Sequence, residues 1–480
     1  MERRTFLKIL SSAGIVSLVS PTFAMEVCKN KVSKSSSALL ESAFRNPPFS
    51  SGVYTWWHWM NGNITKDGIT RDLEAMKANG IAGYQLFEAG SGIPIGPVES
   101  LSDEWVDLIL HTLKESERLG LEFAMHNCPG WSSSGGPWIT PDKAMQIITW
   151  SETKITGGKQ VRIQLPTPKH MFDYYIDTYC LAIPANMKVI PRLSILELSN
   201  RLDKDGVLTW DVPTGEWLIM RFGQTAKDQK NKSAPSKSTG LDCDKFSTEA
   251  LDYHLNCMFK RLMPAMEKIA KHSKIGLLID SYETGDQDWT SDMPAYFEQS
   301  HGYELYPFLP VLANKIVESE ESTKRFLFDF RRVRADMFAE RYYGHFQKRC
   351  KEKGIITYTE PYGGNMMEEL QVAQQLDINM GEFWCGQTVL WANYKYNRTV
   401  KQVASIAHTL GGKVVGAEAF TSEPDADKWL QYPYALKSLG DYMFTRGLSR
   451  IYFHRFAHQP HPTAAPGMTM GAWGLHFDRT

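Results

Sequence analysis

The 480-residue sequence predicts an α/β chain built as a (β/α)8 barrel of the TIM type, with a β-rich insertion after the third strand. Three observations carry that prediction. Eight short apolar stretches have strand length, helical patterns separate most of them, and residues 151–240 break into short strands punctuated by turn signals. A doubly wound sheet is the alternative that the same alternation allows. A chain this long exceeds one small core and suits a large barrel or two to three domains.

The N-terminal stretch "ERRTFLKILSSAGIVSLVSPTFA" places Arg3 and Arg4 before a short apolar run ending near Ala24. It resembles a twin-arginine export signal over residues 1–24 and predicts a periplasmic or extracellular protein. A membrane anchor is the plainer alternative, but the run is short and rich in Ser and Gly for a span, and no stable membrane insertion is expected after its removal. Residues 25–50 are polar and Ser-rich and read as a linker.

The first part of the barrel occupies 51–150. "VYTWWHWM" (53–60) is the first strand, followed by a helix that Thr65 caps and Gly80 ends. "GYQLFEAG" (83–90) is the second strand, a helix over 102–119 opens at Ser102, and "LEFAMHNCPG" (121–130) is the third strand. Within the insertion, 151–240, "KDQKNKSAPSKSTG" (227–240) reads as a flexible loop. The second part, 241–480, resumes with a helix over 246–271 and the strand "KIGLLIDSYE" (274–283). A long helical stretch at 320–353 precedes "GIITYTEPYG" (354–363) and "LDINMGEFW" (376–384). A helix over 395–410, the strand "KVVGAEAF" (413–420), a helix near 433–446 and the strand "SRIYFHRFAH" (449–458) complete the order.

Bulk properties exclude several classes of function. With 53 basic and 54 acidic residues the formal net charge is −1, so no basic nucleic-acid footprint is present and no nucleic-acid partner is expected. The seven cysteines contain no CxxC pair, which removes a zinc ribbon or a thioredoxin-like site. "AGSGIPIG" lacks the GxGxxG spacing, "LGGKV" is no P-loop, and HExxH is absent. "HNCPGWSSSGG" (126–136) brings a His near a Cys, but adjacency in sequence is not the geometry of a Cys–His pair; a loop lining a sugar site is the better reading.

In barrels of this type catalytic groups stand at the C-terminal ends of the strands. Those ends here carry Trp56, Trp57 and His58; Glu88; His126 and Asn127; Asp280 and Glu283; Glu360; Glu382; Glu418; and His454. Any one of these acids has a plain explanation as a strand end or helix cap. Gathering all of them at one rim costs repulsion and desolvation, which sugar hydroxyls, a cation or proton transfer must offset. Two chemistries need such a rim: glycoside hydrolysis by two carboxyls, and a Ca²⁺ or Mg²⁺ site built from oxygen ligands. Trp56, Trp57, Tyr282, Trp289, Tyr362 and Trp384 would offer sugars a stacking face, although each taken singly also suits an ordinary core.

The stretches "WWHWMNGNITKDGITRDLEAMKANGIAGYQLFEAG" (56–90), "HNCPGWSSSGGPWI" (126–139), "DSYETG" (280–285), "TEPYG" (359–363), "GEFW" (381–384) and "GAEAFT" (416–421) resemble glycoside hydrolase family 106, the α-L-rhamnosidases. The resemblance spans nearly all of residues 45–480 and implies a barrel that removes terminal L-rhamnose, with inversion, from plant polysaccharides of the pectic, rhamnogalacturonan type or from rhamnosides, using Ca²⁺. Carried over to this sequence, it makes Glu283 the general acid, Glu418 the general base and Asp280 a support for the acid. It points to Glu360, Glu382 and Glu88 as calcium ligands, the first two foremost. Substrate contacts then fall to Trp56, Trp57, His58, Glu88, His126, Asn127, Tyr282, Trp384 and His454. Family members usually continue into further β domains, so the resemblance also implies that downstream β domains are missing from this chain. A non-catalytic carbohydrate-binding barrel, an inactive truncated product or a glycosidase of another sugar stands as the alternative.

Overall fold

The computed structural model describes residues 34–131, 134–270, 274–385, 389–412, 414–423, 430–471 and 474–478, with side chains omitted for 34–38 and 389–397. The expected signal segment 1–24 lies outside the described residues. The chain divides into a unit Met1–Gly52 and a unit Val53–Thr480. In the first, Lys34–Arg45 forms a helix within the stretch read as a linker, with Leu39, Leu40 and Phe44 exposed.

In the second unit eight parallel strands close into a barrel: β1 (Val53–Met60), β2 (Ile81–Ala89), β3 (Glu122–His126), β4 (Ile275–Ile279), β5 (Ile356–Thr359), β6 (Ile378–Cys385), β7 (Val415–Ser422) and β8 (Arg450–Ala457). Neighbours in sequence are neighbours around the ring, and β8 pairs with β1 to shut it. The interior alternates large and small side chains. A Cβ at Gly83 would lie 2.7 Å from the Tyr54 ring, and one at Gly276 would lie 2.5 Å from the Tyr358 ring. Tyrosines fill the lower barrel because glycines face them on neighbouring strands.

Helix caps follow the sequence closely. Thr65 accepts from the amide of Gly68 to open α1 (Lys66–Ala78), and Ser102 accepts from Trp105 to open α2 (Asp103–Leu119), which Gly120 ends in the left-handed region at φ +68. The single helix expected over 246–271 is instead two, α3 (Thr248–Phe259) and α4 (Met263–Ile269). Pro264 in the first turn of α4 has no N–H to continue the earlier ladder. The long helical stretch is continuous from Glu320 to Lys351, with a π-helical turn at Phe338–Gly344.

Between β3 and β4, strands Gln146–Thr156, Glu216–Ala226, Ile176–Pro184 and Leu196–Glu197 form a four-stranded antiparallel sheet, and Lys159–Gln164 pairs with Val207–Val212. Leu165, Cys180, Leu208, Trp210 and Ile219 bury together there. The stretch expected to be a flexible loop is tied down: Asn231 Nδ2 donates to Pro129 O at 3.0 Å, and the amide of Gly90 donates to Ser233 O at 2.7 Å. A polar low-complexity composition predicts mobility only where the backbone finds no partners, and here it finds them on the barrel rim.

Beneath this seam Lys245 and Asp242 form an ion pair in which neither side chain is exposed. Lys245 Nζ also donates to Cys243 O at 2.9 Å and to Ser134 O at 3.3 Å. Lys245→Met is expected to lower the unfolding free energy by roughly 3–5 kcal/mol, because Asp242 would keep a buried charge without its cation. Chemical denaturation measures this; a loss under about 1 kcal/mol would show the pair to be dispensable.

Candidate active site

The C-terminal mouth of the barrel opens into a cleft of about 770 Å³, lined by Trp56, His58, Trp131, Lys232, Asp280, Glu283, Glu382, Trp384, Glu418, Thr421 and His454 among others. Strand parity decides who faces it. Tyr54 stands beside Gly83 and His58 beside Phe87 in the β1–β2 register, so even positions of β1 and odd positions of β2 share the inner face. Trp56 stacks on Phe87 at 4.4 Å and meets His454 edge-on at 5.4 Å.

The acids come from four successive strands. Glu382 and Glu418 are register partners across β6 and β7. Like charges so placed on neighbouring strands destabilise a sheet unless a task offsets the cost. Trp384 Nε1 donates to Glu382, Thr421 Oγ1 to Glu418 and the Tyr362 hydroxyl to Glu360. Glu360 is fully buried beneath the cleft. Asp280 and Glu360 are neighbouring carboxyls whose charges act on each other. Asp280 Oδ1 and Glu360 Oε1 find no N–H or O–H donor among the described residues. Burial first, and the neighbouring carboxyls second, hold Asp280, Glu360 and Glu418 well above the usual carboxylate range.

Glu283 is different in kind. It is 38% exposed, accepts from Lys232 Nζ at 2.6 Å and Trp131 Nε1 at 3.4 Å, and accepts from Ser281 Oγ at 3.2 Å. Tyr282 anchors its loop: the Tyr282 amide donates to Tyr362 O at 2.9 Å and its hydroxyl donates to Gly285 O at 2.9 Å. Only glycine fits opposite, since a Cβ at Gly363 (φ +96) would lie 2.2 Å from Tyr282 O.

His126 sits under Asp280. Its Nε2 lies 3.4 Å from the Asp280 amide, its Nδ1 lies 2.9 Å from Cys128 O and 3.2 Å from the Cys128 amide, and burial lowers its pKa to about 4. His58 and His454 are likewise kept neutral, chiefly by burial. The 3.7 Å approach of His454 Nδ1 to Glu418 is therefore not a charged pair.

Five residues expected to touch substrate lie outside the cleft lining, and the buried His126 is one of them. Trp57 points outward and donates to Asp72 at 3.2 Å, in the buried network with His458 that ties α1 to the end of β8. Glu88 also points outward, accepting from Ser100 Oγ at 2.7 Å, and burial raises its pKa to about 7. Asn127 holds Leu278 O and Ser134, and Tyr282 packs edge-on against Phe338 at 5.0 Å. Conversely, Trp131, Lys232 and Thr421 line the cleft without having been singled out. Trp131 and Thr421 lie inside motifs quoted above, whereas Lys232 carries no local signal.

Calcium suits the donor chemistry here, hard carboxylate oxygens of which two lack a donor. No preformed cage exists, for among the described residues no three His, Cys, Asp or Glu side chains are grouped as metal ligands.

A closed eight-stranded barrel whose mouth gathers acids and aromatic faces is the arrangement of a glycoside hydrolase. The family model for glycoside hydrolase 106, alpha-L-rhamnosidase, matches residues 45–177 and 169–480. A protein of Formosa agariphila named "Putative beta-glucuronidase" is 40% identical over 471 residues, covering 92% of this chain and 40% of that protein. The solved rhamnosidase of Novosphingobium sp. PP1Y superposes with a TM-score of 0.85 at 24% identity, covering 92% of this chain and 58% of that one, and shares the fold. The chain belongs to the alpha-L-rhamnosidase family, glycoside hydrolase 106, and spans well under two thirds of the length of both relatives.

Proposed function

We propose that this protein hydrolyses terminal α-L-rhamnosides with inversion, releasing L-rhamnose from plant polysaccharide of the pectic, rhamnogalacturonan type or from smaller rhamnosides. One observation carries the reading: a half-exposed Glu283 and a buried Glu418 open onto the same cleft, in environments of opposite character. The division of roles follows the family resemblance, which makes Glu283 the acid and Glu418 the base, whereas burial alone favours the protonated form at Glu418. Glu283 gives its proton to the glycosidic oxygen as the C1–O bond breaks. Glu418 takes a proton from water as that water's oxygen bonds to C1 from the opposite face. Asp280, on the same loop, supports Glu283. Trp56, His58, Trp384 and His454 supply stacking faces and neutral hydrogen-bonding groups for the sugar.

Calcium belongs to the same proposal, held by Glu360 and Glu382. Bound there, it would neutralise part of the acidic cluster and orient sugar hydroxyls. Thorough chelation is expected to lower both kcat and Tm, with both restored by added Ca²⁺; unchanged values would remove calcium from the account. The twin-arginine resemblance supports export to the periplasm or beyond. The antiparallel strands over 146–226 act as an insertion that roofs one side of the cleft through the loop bearing Lys232. Among the described residues no helix is long and apolar enough to cross a membrane.

The relative from Formosa agariphila favours a second reading, a glycosidase acting on glucuronides. Matched aryl α-L-rhamnoside and aryl β-D-glucuronide substrates separate the two. Preferential turnover of the rhamnoside supports the first, and turnover of the glucuronide alone replaces it.

A further inference from the structure

The segment after β8 supplies one wall of the cleft through Met468, Thr469, Met470 and Gly471. It is fixed from beneath. The buried Gln459 side chain donates from Nε2 to Met468 O at 2.8 Å and accepts from the Met468 amide at 2.6 Å. Arg455 Nη2 donates to Gly471 O at 3.3 Å, the Gly474 amide to Ser422 O at 3.1 Å, and the Leu475 amide to His454 O at 2.8 Å. A Cβ at Gly474 (φ +77) would lie 2.6 Å from His454 Nδ1, so only glycine lets the segment come this close. Met468 and Met470 are half-buried and give the wall its apolar surface. The wall belongs to the side of the base: Ser422 ends β7, the strand of Glu418, and His454 Nδ1 lies 3.7 Å from Glu418. Ile93 and Pro94 also line the cleft, but their loop is joined through Gly90 to Ser233, next to the Lys232–Glu283 pair on the leaving-group side.

We infer that Met468 and Met470 read the C6 methyl of the rhamnosyl ring and so decide between a 6-deoxy sugar and its 6-hydroxy counterpart. The inference rests on the rhamnosidase reading above. The ring hydroxyls find partners in His58, His454 and the carboxyls, and the tryptophans offer its faces a stacking surface. The methyl on C5 is the one substituent that makes no hydrogen bond, and a soft thioether wall suits it. L-Mannose differs from L-rhamnose only by a hydroxyl on C6. Against this wall that hydroxyl would give up its water and gain no strong partner.

The test sets three nitrophenyl α-L-glycosides side by side: the rhamnoside, the lyxoside, which lacks C6, and the mannoside, which adds a hydroxyl to it. For the wild-type protein kcat/KM is expected to fall roughly tenfold from rhamnoside to lyxoside and roughly 10²-fold from rhamnoside to mannoside. The double variant Met468→Gln/Met470→Gln is expected to bring both ratios within about threefold of one. Met470→Leu, which keeps the wall apolar, is expected to keep the wild-type ratios. Thermal unfolding checks that each variant is folded; where the double variant is not, Met468→Gln and Met470→Gln singly carry the same comparison. A wild-type ratio near one for either pair, or a glutamine variant that loses equally on all three substrates, overturns the inference while the rhamnosidase reading stands. Cleavage of none of the three overturns the rhamnosidase reading and this inference with it.

Discussion

Glu418→Gln is expected to lower kcat roughly 10³-fold, the scale on which a positioned general base contributes. The fold survives the change. Glu418 is a buried acid raised by burial and by Glu382 and Asp280, so its ionised form opposes folding at neutral pH, and a neutral amide removes that cost. Tm is therefore expected to be equal or higher in the variant. The acid limb of the wild-type pH profile should lie above the range of an ordinary glutamate, and this limb should vanish with Glu418. Azide, which needs no proton removed, should restore turnover to Glu418→Ala. Wild-type rates in Glu418→Gln would take the residue out of the reaction.

Glu283→Gln is expected to lower kcat by roughly 10²–10⁴-fold on sugar leaving groups, which must be protonated as they depart. A nitrophenyl leaving group needs little such help, so the loss there should be far smaller. That contrast separates an acid from a residue that merely holds shape. Stability should barely move, because the Lys232–Glu283 pair is half exposed and such pairs are worth about 0–1 kcal/mol. Equal losses on both leaving groups would contradict the assignment.

The barrel was legible because its strands and caps are local signals: Thr65, Ser102 and Gly80 act where the sequence puts them. The acid rim was legible for the same reason, since Asp280, Glu382 and Glu418 end or follow apolar runs. Strand ends alone over-selected, however. Glu88 is out of phase with Phe87, and Trp57 with Trp56 and His58, so period-two alternation sends both toward the helices. That argument was available from sequence. Pro264 likewise announced the break between α3 and α4. Lys232 was not legible in this way. Its position depends on hydrogen bonds to Gly90 and Trp131, over a hundred residues away, and nothing in "KDQKNKSAPSKSTG" records them.

The central claim is that Glu283 and Glu418 act as acid and base on opposite faces of a rhamnosyl ring. Proton NMR of an α-L-rhamnoside digest, read in the first minutes with calcium present, tests it most directly. Free β-L-rhamnose as the first product, mutarotating later to the equilibrium mixture, is the predicted result. α-L-rhamnose as the first product would require a covalent intermediate and contradict the assignment.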